Sequence, residues 1–289
     1  SYSFDFSVWE MYGALLFGGK VVVVPKVVSQ DPYLFKALIK REGVTVLSQT
    51  PGAFYNLIEA DKTHADTRTT IRYVIFGGEA LSPARLKEWK ERYPDGKLIN
   101  MYGITETTVH VTYKEIGEAE IESGISNIGK AIPTLNCYIL DADQHVVPIG
   151  VAGELHIGGA GLAREYLNRP ELTAEKFIAN PYKPEERLYK TGDLGRWLSD
   201  GNIEYLGRKD DQVKIRGYRI ELGEIEYVLQ AHKEVHGAVV IAGTVAGSAQ
   251  KELIAYFVGE TKPSGLRRYL EGKLPDYMIP SYLINIEKI

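Results

Sequence analysis

Between Arg187 and Glu226 the sequence reads RLYKTGDLGRWLSDGNIEYLGRKDDQVKIRGYRIELGEIE, with charged residues and glycines set closer together than an ordinary core needs. Thr191-Gly192-Asp193 places a short carboxylate at a glycine turn after an apolar-aromatic run. There it can accept hydrogen bonds from vicinal hydroxyls, which is the chemistry of a ribose. Arg208 and Lys214 supply cations on either side of Asp210-Asp211, and Gly207 and Gly217 let the backbone turn sharply around them. Phosphate or carboxylate suits such a pair of cations. Any one of these residues alone would fit an exposed hairpin with solvated charges equally well.

A second stretch, from Asn100 to Thr108, reads NMYGITETT and leaves the end of an expected parallel strand, the place where open α/β sheets bind ligands. Tyr102 offers a ring that can stack on a purine, Thr105 a hydroxyl that can donate to a phosphate oxygen, and Glu106 a carboxylate that can hold a hard cation such as magnesium. A third stretch, Gly77-Gly78-Glu79-Ala80, follows the apolar run Arg72 to Phe76, and its glycines allow the backbone to approach a flat ligand. Gly158-Gly159-Ala160-Gly161 has the wrong glycine spacing for a dinucleotide fingerprint, and position 178 is isoleucine where a ribose acid would stand.

The elements that must position these residues are legible in the hydrophobic pattern. Val8, Met11, Tyr12, Leu15 and Leu16 have the spacing of one helix face, stopped by Gly18-Gly19, and Val21 to Val24 suggests a buried strand. Asp31-Pro32 predicts a capped helix ending before Gly43, followed by a strand from Val44 to Leu47. Helix at Pro51 to Glu59, strand at Arg72 to Phe76, a helix capped by Ser82 through Tyr93, and strand at Lys97 to Met101 continue the alternation. This predicts a largely parallel sheet with helices on its faces.

Beyond Val109 short alternating runs at Asn136 to Leu140, Gly153 to Ile157 and Asn202 to Tyr205 indicate a small β-rich, barrel-like subdomain. After Asp210 a strand pair, a helix, two more strands and a further helix indicate a compact α+β unit. The expected division is 1–115, part of an αβ subdomain; 116–209, β-rich; and 210–289, α+β.

The chain has 289 residues, 44% hydrophobic and 25% charged, with a net charge of -4. It is globular, and without an overall basic field nucleic acid is not the expected partner. With one cysteine, no leader and no long apolar span, the expectation is a cytoplasmic protein without disulfides or membrane segments. Cys137 lies in a strand-like run and reads as a buried structural thiol.

Together these motifs resemble the adenylation domains of nonribosomal peptide synthetases, in the superfamily that includes acyl-CoA synthetases and firefly luciferase, along the chain from Phe4 to Pro280. The resemblance implies that Tyr102 faces adenine, Asn100 bonds its amino edge, and Gly78, Glu79 and Ala80 line the adenine pocket. It also implies that Thr105 touches the α-phosphate, Glu106 binds magnesium, and Asp193 and Arg208 contact the ribose with Tyr205 bordering the nucleotide. Asp210 would be the hinge of a mobile C-terminal unit. ATP and Mg2+ are the implied cofactors, with phosphopantetheine supplied by a peptidyl carrier domain; that domain and a condensation domain of the same assembly line are the implied partners.

By the same resemblance the amino-acid pocket falls on Asp5, Phe6, Trp9, Ser48, Ile75, Gly77, Met101, Val109 and His110. Asp5 stands either as an exposed aspartate at a helix start, favoured by the helix dipole, or as a buried counter-charge to an α-ammonium group. The set resembles threonine-selecting domains and departs from them at Ser48, where asparagine is usual. The family's phosphate loop and its catalytic-lysine segment find no match here, so the expectation is a fragment whose parent forms an aminoacyl adenylate and passes it to a carrier thiol. The rivals are an acyl-CoA or aryl-acid ligase and a non-catalytic module that binds nucleotide or docks a carrier domain.

Overall fold

The computed structural model describes residues 4–62, 69–210, 212–244 and 251–288. Asp211 lies outside the described residues. The chain divides into two compact units, Ser1–Lys209 and Asp210–Ile289. Among the described residues, no helix is long and apolar enough to cross a membrane.

The first unit is built on a sheet of ten strands among the described residues. Val46–Gln49, Tyr73–Phe76 and Lys97–Asn100 run parallel, with Ser48 opposite Ile75 and Ile75 opposite Ile99. Their carboxyl ends deliver Thr50, Gly77 and Met101 to one rim of the sheet, which is where the sequence places its ligand-binding residues. Thr112–Ile116 then pairs antiparallel with Lys97–Asn100 on one side and Asn127–Ala131 on the other. The sheet continues through Ile203–Arg208, Arg187–Trp197, Gly153–Gly159 and Leu135–Leu140, so the β-rich part shares one hydrogen-bonded path with the parallel part.

Local sequence explains the helices. Asp31 accepts from the backbone N–H of Tyr33 and Leu34 at 2.8 and 3.1 Å, Pro32 opens the helix Pro32–Glu42, and Gly43 closes it in the left-handed region. That helix and Pro51–Lys62 cover the parallel strands, burying Phe35, Ile39, Phe54 and Leu57 against Val74, Phe76 and Leu98. The helix Phe6–Leu15 forms where its spacing predicts, yet none of its residues is buried.

Two local expectations fail. Val21–Val24 forms no strand, because none of the described strands pairs with it, although Val24 packs against the core. Ser82 makes no capping bond, and the segment after it begins as a 3-10 turn, Pro83–Leu86, before the helix Lys87–Arg92.

The second unit opens with the hairpin Gln212–Ile215 and Tyr218–Glu221, turned by Arg216 and Gly217 at positive φ. The helices Leu222–Gln230 and Pro263–Glu271 pack Ile225, Leu229, Leu266 and Leu270 onto Ala255 and Phe257 of a three-stranded sheet.

Candidate active site

Asp5 stands at the N-cap of the helix Phe6–Leu15 but makes no side-chain cap bond. Its carboxylate instead accepts from the Thr105 hydroxyl at 2.8 Å. Asp5 thus stands at the start of a helix with no buried residue and is held from outside that helix by Thr105. Phe6, the next residue, and Trp9, a turn further on, face the His110 ring at 5.4 and 5.3 Å, the tryptophan edge-on. Gly77 is fixed by the same packing, since a Cβ there would meet the Phe6 ring at 2.4 Å. Thus Phe6, Trp9, Gly77 and His110 form one cluster at the rim of the parallel strands, with Asp5 preceding Phe6 in the chain. Ser48, Ile75 and Met101 stand on or just beyond those strands, and Val109 precedes His110.

His110 is 6% exposed, and neither ring nitrogen has a hydrogen-bond partner among the described residues. Burial pushes its pKa down to about 4, so the ring is neutral near neutral pH. It reaches this position because Thr108 and Val109, both β-branched, adopt φ of 65° and 67°. Such residues resist the left-handed region, at about 1–3 kcal/mol each. The loop is held there by the Thr108 hydroxyl donating to the Gly161 carbonyl at 2.7 Å and by Val111 N–H donating to the Tyr102 carbonyl at 2.7 Å. Gly103 permits the fold-back, since a Cβ there would lie 2.0 Å from the Val109 carbonyl oxygen.

A second cluster surrounds Asp193, which is fully buried. Tyr102 donates to its Oδ2 at 2.7 Å, while Tyr205 and Arg208 donate to Oδ1 at 3.2 and 3.1 Å. Burial, then the adjacent carboxylate, holds the Tyr102 hydroxyl well above the usual phenol range. The rings of Tyr102 and Tyr205 lie 6.0 Å apart. Thr191 fixes the turn, its hydroxyl donating to the Leu155 carbonyl and accepting from Asp193 N–H. Nearby, the Asn100 amide nitrogen donates to the Asn127 carbonyl at 2.8 Å, which orients its oxygen as the acceptor.

Gly78 takes a left-handed φ of 82°, Glu79 is half-buried and Ala80 exposed. The Glu79 carboxylate accepts from Gly52 N–H in the first turn of the helix Pro51–Lys62, so it caps that helix from across the rim. Cys137 is a strand residue only half-buried as a whole, and burial of its thiol pushes the pKa up to about 12.

Tyr166 touches a candidate site residue, a contact that sequence reasoning missed. Its segment, GELHIGGAGLAREYLNRPELTAEKFI, read as turns and packing, yet its hydroxyl donates to Glu106 Oε1 at 2.6 Å and lies 3.1 Å from the Tyr189 hydroxyl. A tyrosine in a loop carries no periodic signal, and only the fold brings it 60 residues back to the glutamate.

The AMP-binding enzyme family matches residues 1–167, more than half of the chain. A plipastatin synthase polypeptide of Bacillus subtilis (strain 168) is 53% identical over 293 aligned residues, covering 100% of this chain and 11% of the relative. The chain thus spans about a tenth of that protein. Among solved structures, a nonribosomal peptide synthetase protein containing adenylation and PCP domains is 29% identical with a TM-score of 0.85, over 100% of this chain and 57% of the other. The adenylation domain AlmE of Vibrio cholerae, in complex with glycyl-adenosine-5'-phosphate, is 26% identical with a TM-score of 0.86, over 99% of this chain and 54% of the other. With those likenesses along its whole length, the chain belongs to the AMP-binding enzyme family, as a segment of a nonribosomal peptide synthetase adenylation domain.

Proposed function

We propose that the protein carrying this chain activates an α-amino acid with ATP and passes the aminoacyl group to the phosphopantetheine thiol of a carrier domain, with a threonine-like side chain preferred. A carboxylate oxygen of the amino acid attacks the α-phosphorus, the bond to the bridging oxygen of the β-phosphate breaks, and pyrophosphate leaves with that electron pair. The thiol then attacks the carbonyl carbon and releases AMP. The PCP domain joined to the adenylation domain in one similar solved protein supports the second step.

The observation that carries this reading is the Asp5 carboxylate, tied to Thr105 of the Asn100–Thr108 loop on a helix whose next residues, Phe6 and Trp9, pack on the His110 ring. An ammonium group entering among aromatic rings needs a counter-charge, and Asp5 supplies one. The bond to Thr105 registers that counter-charge against the loop assigned to the phosphates. His110, neutral and with unpartnered ring nitrogens among the described residues, offers a hydrogen bond to a hydroxyl-bearing side chain, and Ser48 offers another from the strand.

Asp193 receives the ribose. Three donors already occupy it and it is fully buried, so a ribose hydroxyl takes the place of one of them. Tyr205, half-buried and bonded at the longest distance, is the donor that gives way. The Tyr102 ring then stacks on the adenine, and the Asn100 oxygen accepts from its amino group.

Glu106 suits magnesium, because this hard cation takes oxygen ligands and pairs one or two carboxylates with nucleotide phosphates. When bound, the ion would neutralise charge on the phosphate oxygens. Asp210, at the junction of the two compact units, is the proposed hinge.

Pyrophosphate exchange into ATP, run on the full-length protein with a panel of acids, tests the proposal. Exchange should depend on an amino acid, with threonine or a close analogue best. Exchange driven by an aryl or fatty acid alone would favour an acyl ligase, and nucleotide binding without exchange would favour a non-catalytic module.

A further inference from the structure

The hydroxyl of Tyr166 and the carboxylate of Glu106 meet in a setting made for a fixed geometry. Glu106 is 9% exposed and is itself gripped twice by the segment 161–173: Ala163 N–H donates to the Glu106 carbonyl at 2.8 Å, and Tyr166 donates to its side chain. Tyr166 is itself fixed, its backbone N–H donating to the Thr173 hydroxyl at 3.0 Å and its ring packing edge-on against Phe177 at 5.6 Å.

An ionised carboxylate only accepts, so Tyr166 spends its one proton on Glu106. In its contact with Tyr189, therefore, Tyr189 supplies the proton. The result is a directed chain from Tyr189 through Tyr166 to Glu106, set against the apolar patch of Ile104, Phe177 and Leu162.

We propose that Tyr166 is a positioning residue for the cation site: its hydroxyl fixes the rotation of the Glu106 carboxylate and so sets how tightly that carboxylate holds a divalent ion. This rests on Glu106 being the cation ligand. Partners that orient a ligand from behind contribute about 10–100-fold to metal affinity. Because the hydroxyl acts through Glu106, its loss should be read in the ion and not in the amino acid.

The test uses the full-length protein with Tyr166→Phe, which keeps the ring against Phe177, and Glu106→Gln. Binding of a non-hydrolysable ATP analogue is followed by calorimetry while free Mg2+ is varied. Amino-acid binding without nucleotide is measured on the same samples. Tyr166→Phe should raise the Mg2+ concentration needed for half-maximal analogue binding by about 10-fold and leave amino-acid affinity unchanged. A wild-type Mg2+ curve for Tyr166→Phe beside a shifted curve for Glu106→Gln overturns the proposal and spares the assignment of Glu106. If neither variant shifts the curve, Glu106 is not the ligand and both fall. Loss of amino-acid binding in Tyr166→Phe also overturns it, by showing that the tyrosine supports the fold of the site and not the ion.

Discussion

The Thr105 hydroxyl donates to the Asp5 carboxylate at 2.8 Å, across 100 residues of sequence. This bond couples the start of the first helix to the loop that follows the strand Lys97–Asn100. A carboxylate held by one oxygen presents the other in a restricted direction, so the bond matters for what Asp5 can grip.

Removing that tether should weaken amino-acid binding. A hydrogen bond to an ionised group is worth about 1.5–3 kcal/mol, and Thr105 is exposed, which argues for the low end. Thr105→Val should therefore raise the KM for the amino acid by roughly 10-fold. Thr105→Ser, which keeps the hydroxyl, should largely restore it. Steady-state exchange kinetics would show both effects, and an unchanged amino-acid KM in the valine variant would detach Thr105 from Asp5 in function.

Stability at the back of the parallel sheet should depend on Asp61. Its buried carboxylate meets Lys36 at 2.7 Å, Arg92 at 3.0 Å and the Tyr93 hydroxyl at 3.0 Å. Asp61→Ala would leave two largely covered cations without this counter-charge, each with a side chain only 23% exposed. The expected loss is about 3 kcal/mol, read as a lower denaturant midpoint, with the amino-acid preference unchanged. A loss below about 0.5 kcal/mol would place the pair among surface ion pairs of little consequence.

Acid should destabilise the protein partly through His110. Its folded pKa, about 4, lies below the ordinary 6.5, so between those values the unfolded chain binds the proton and the folded one does not. Stability is therefore lost as pH falls from 6.5 toward 4. His156 is shifted the same way by burial, so the comparison is with a variant and not with absolute stability. Going from about pH 7 to about pH 4.5, the wild type should lose about 2–3 kcal/mol more than His110→Gln. Parallel pH profiles for the two proteins would mean that His110 titrates normally.

Local signals carried much of the fold. Asp31-Pro32 and Gly43 bracket their helix because capping is decided within a few residues, and the alternation before Asn100 follows from burial on both faces of a parallel sheet. Val21–Val24 has strand composition but pairs with no described strand, and pairing is a property of the fold, not of four residues.

The motif residues Asp193, Arg208, Tyr102 and Tyr205 come together, yet their mutual satisfaction, with Asp193 wholly covered, could not be read from the residues one at a time. Glu79 capping a helix that starts 28 positions earlier, and Tyr166 reaching Glu106, are contacts between distant loops that no local pattern encodes.

Selection of an α-amino acid through Asp5 is tested most directly by ATP-pyrophosphate exchange in the full-length protein, comparing the best amino acid with the same acid lacking its amino group. The wild type should favour the amino acid by at least about 100-fold in kcat/KM, because the des-amino acid leaves the Asp5 carboxylate desolvated and without a cation. Asp5→Ala should bring the two acids close to parity. A wild-type enzyme indifferent to the amino group, or an Asp5→Ala variant that still discriminates fully, would contradict the assignment of Asp5 as the counter-charge.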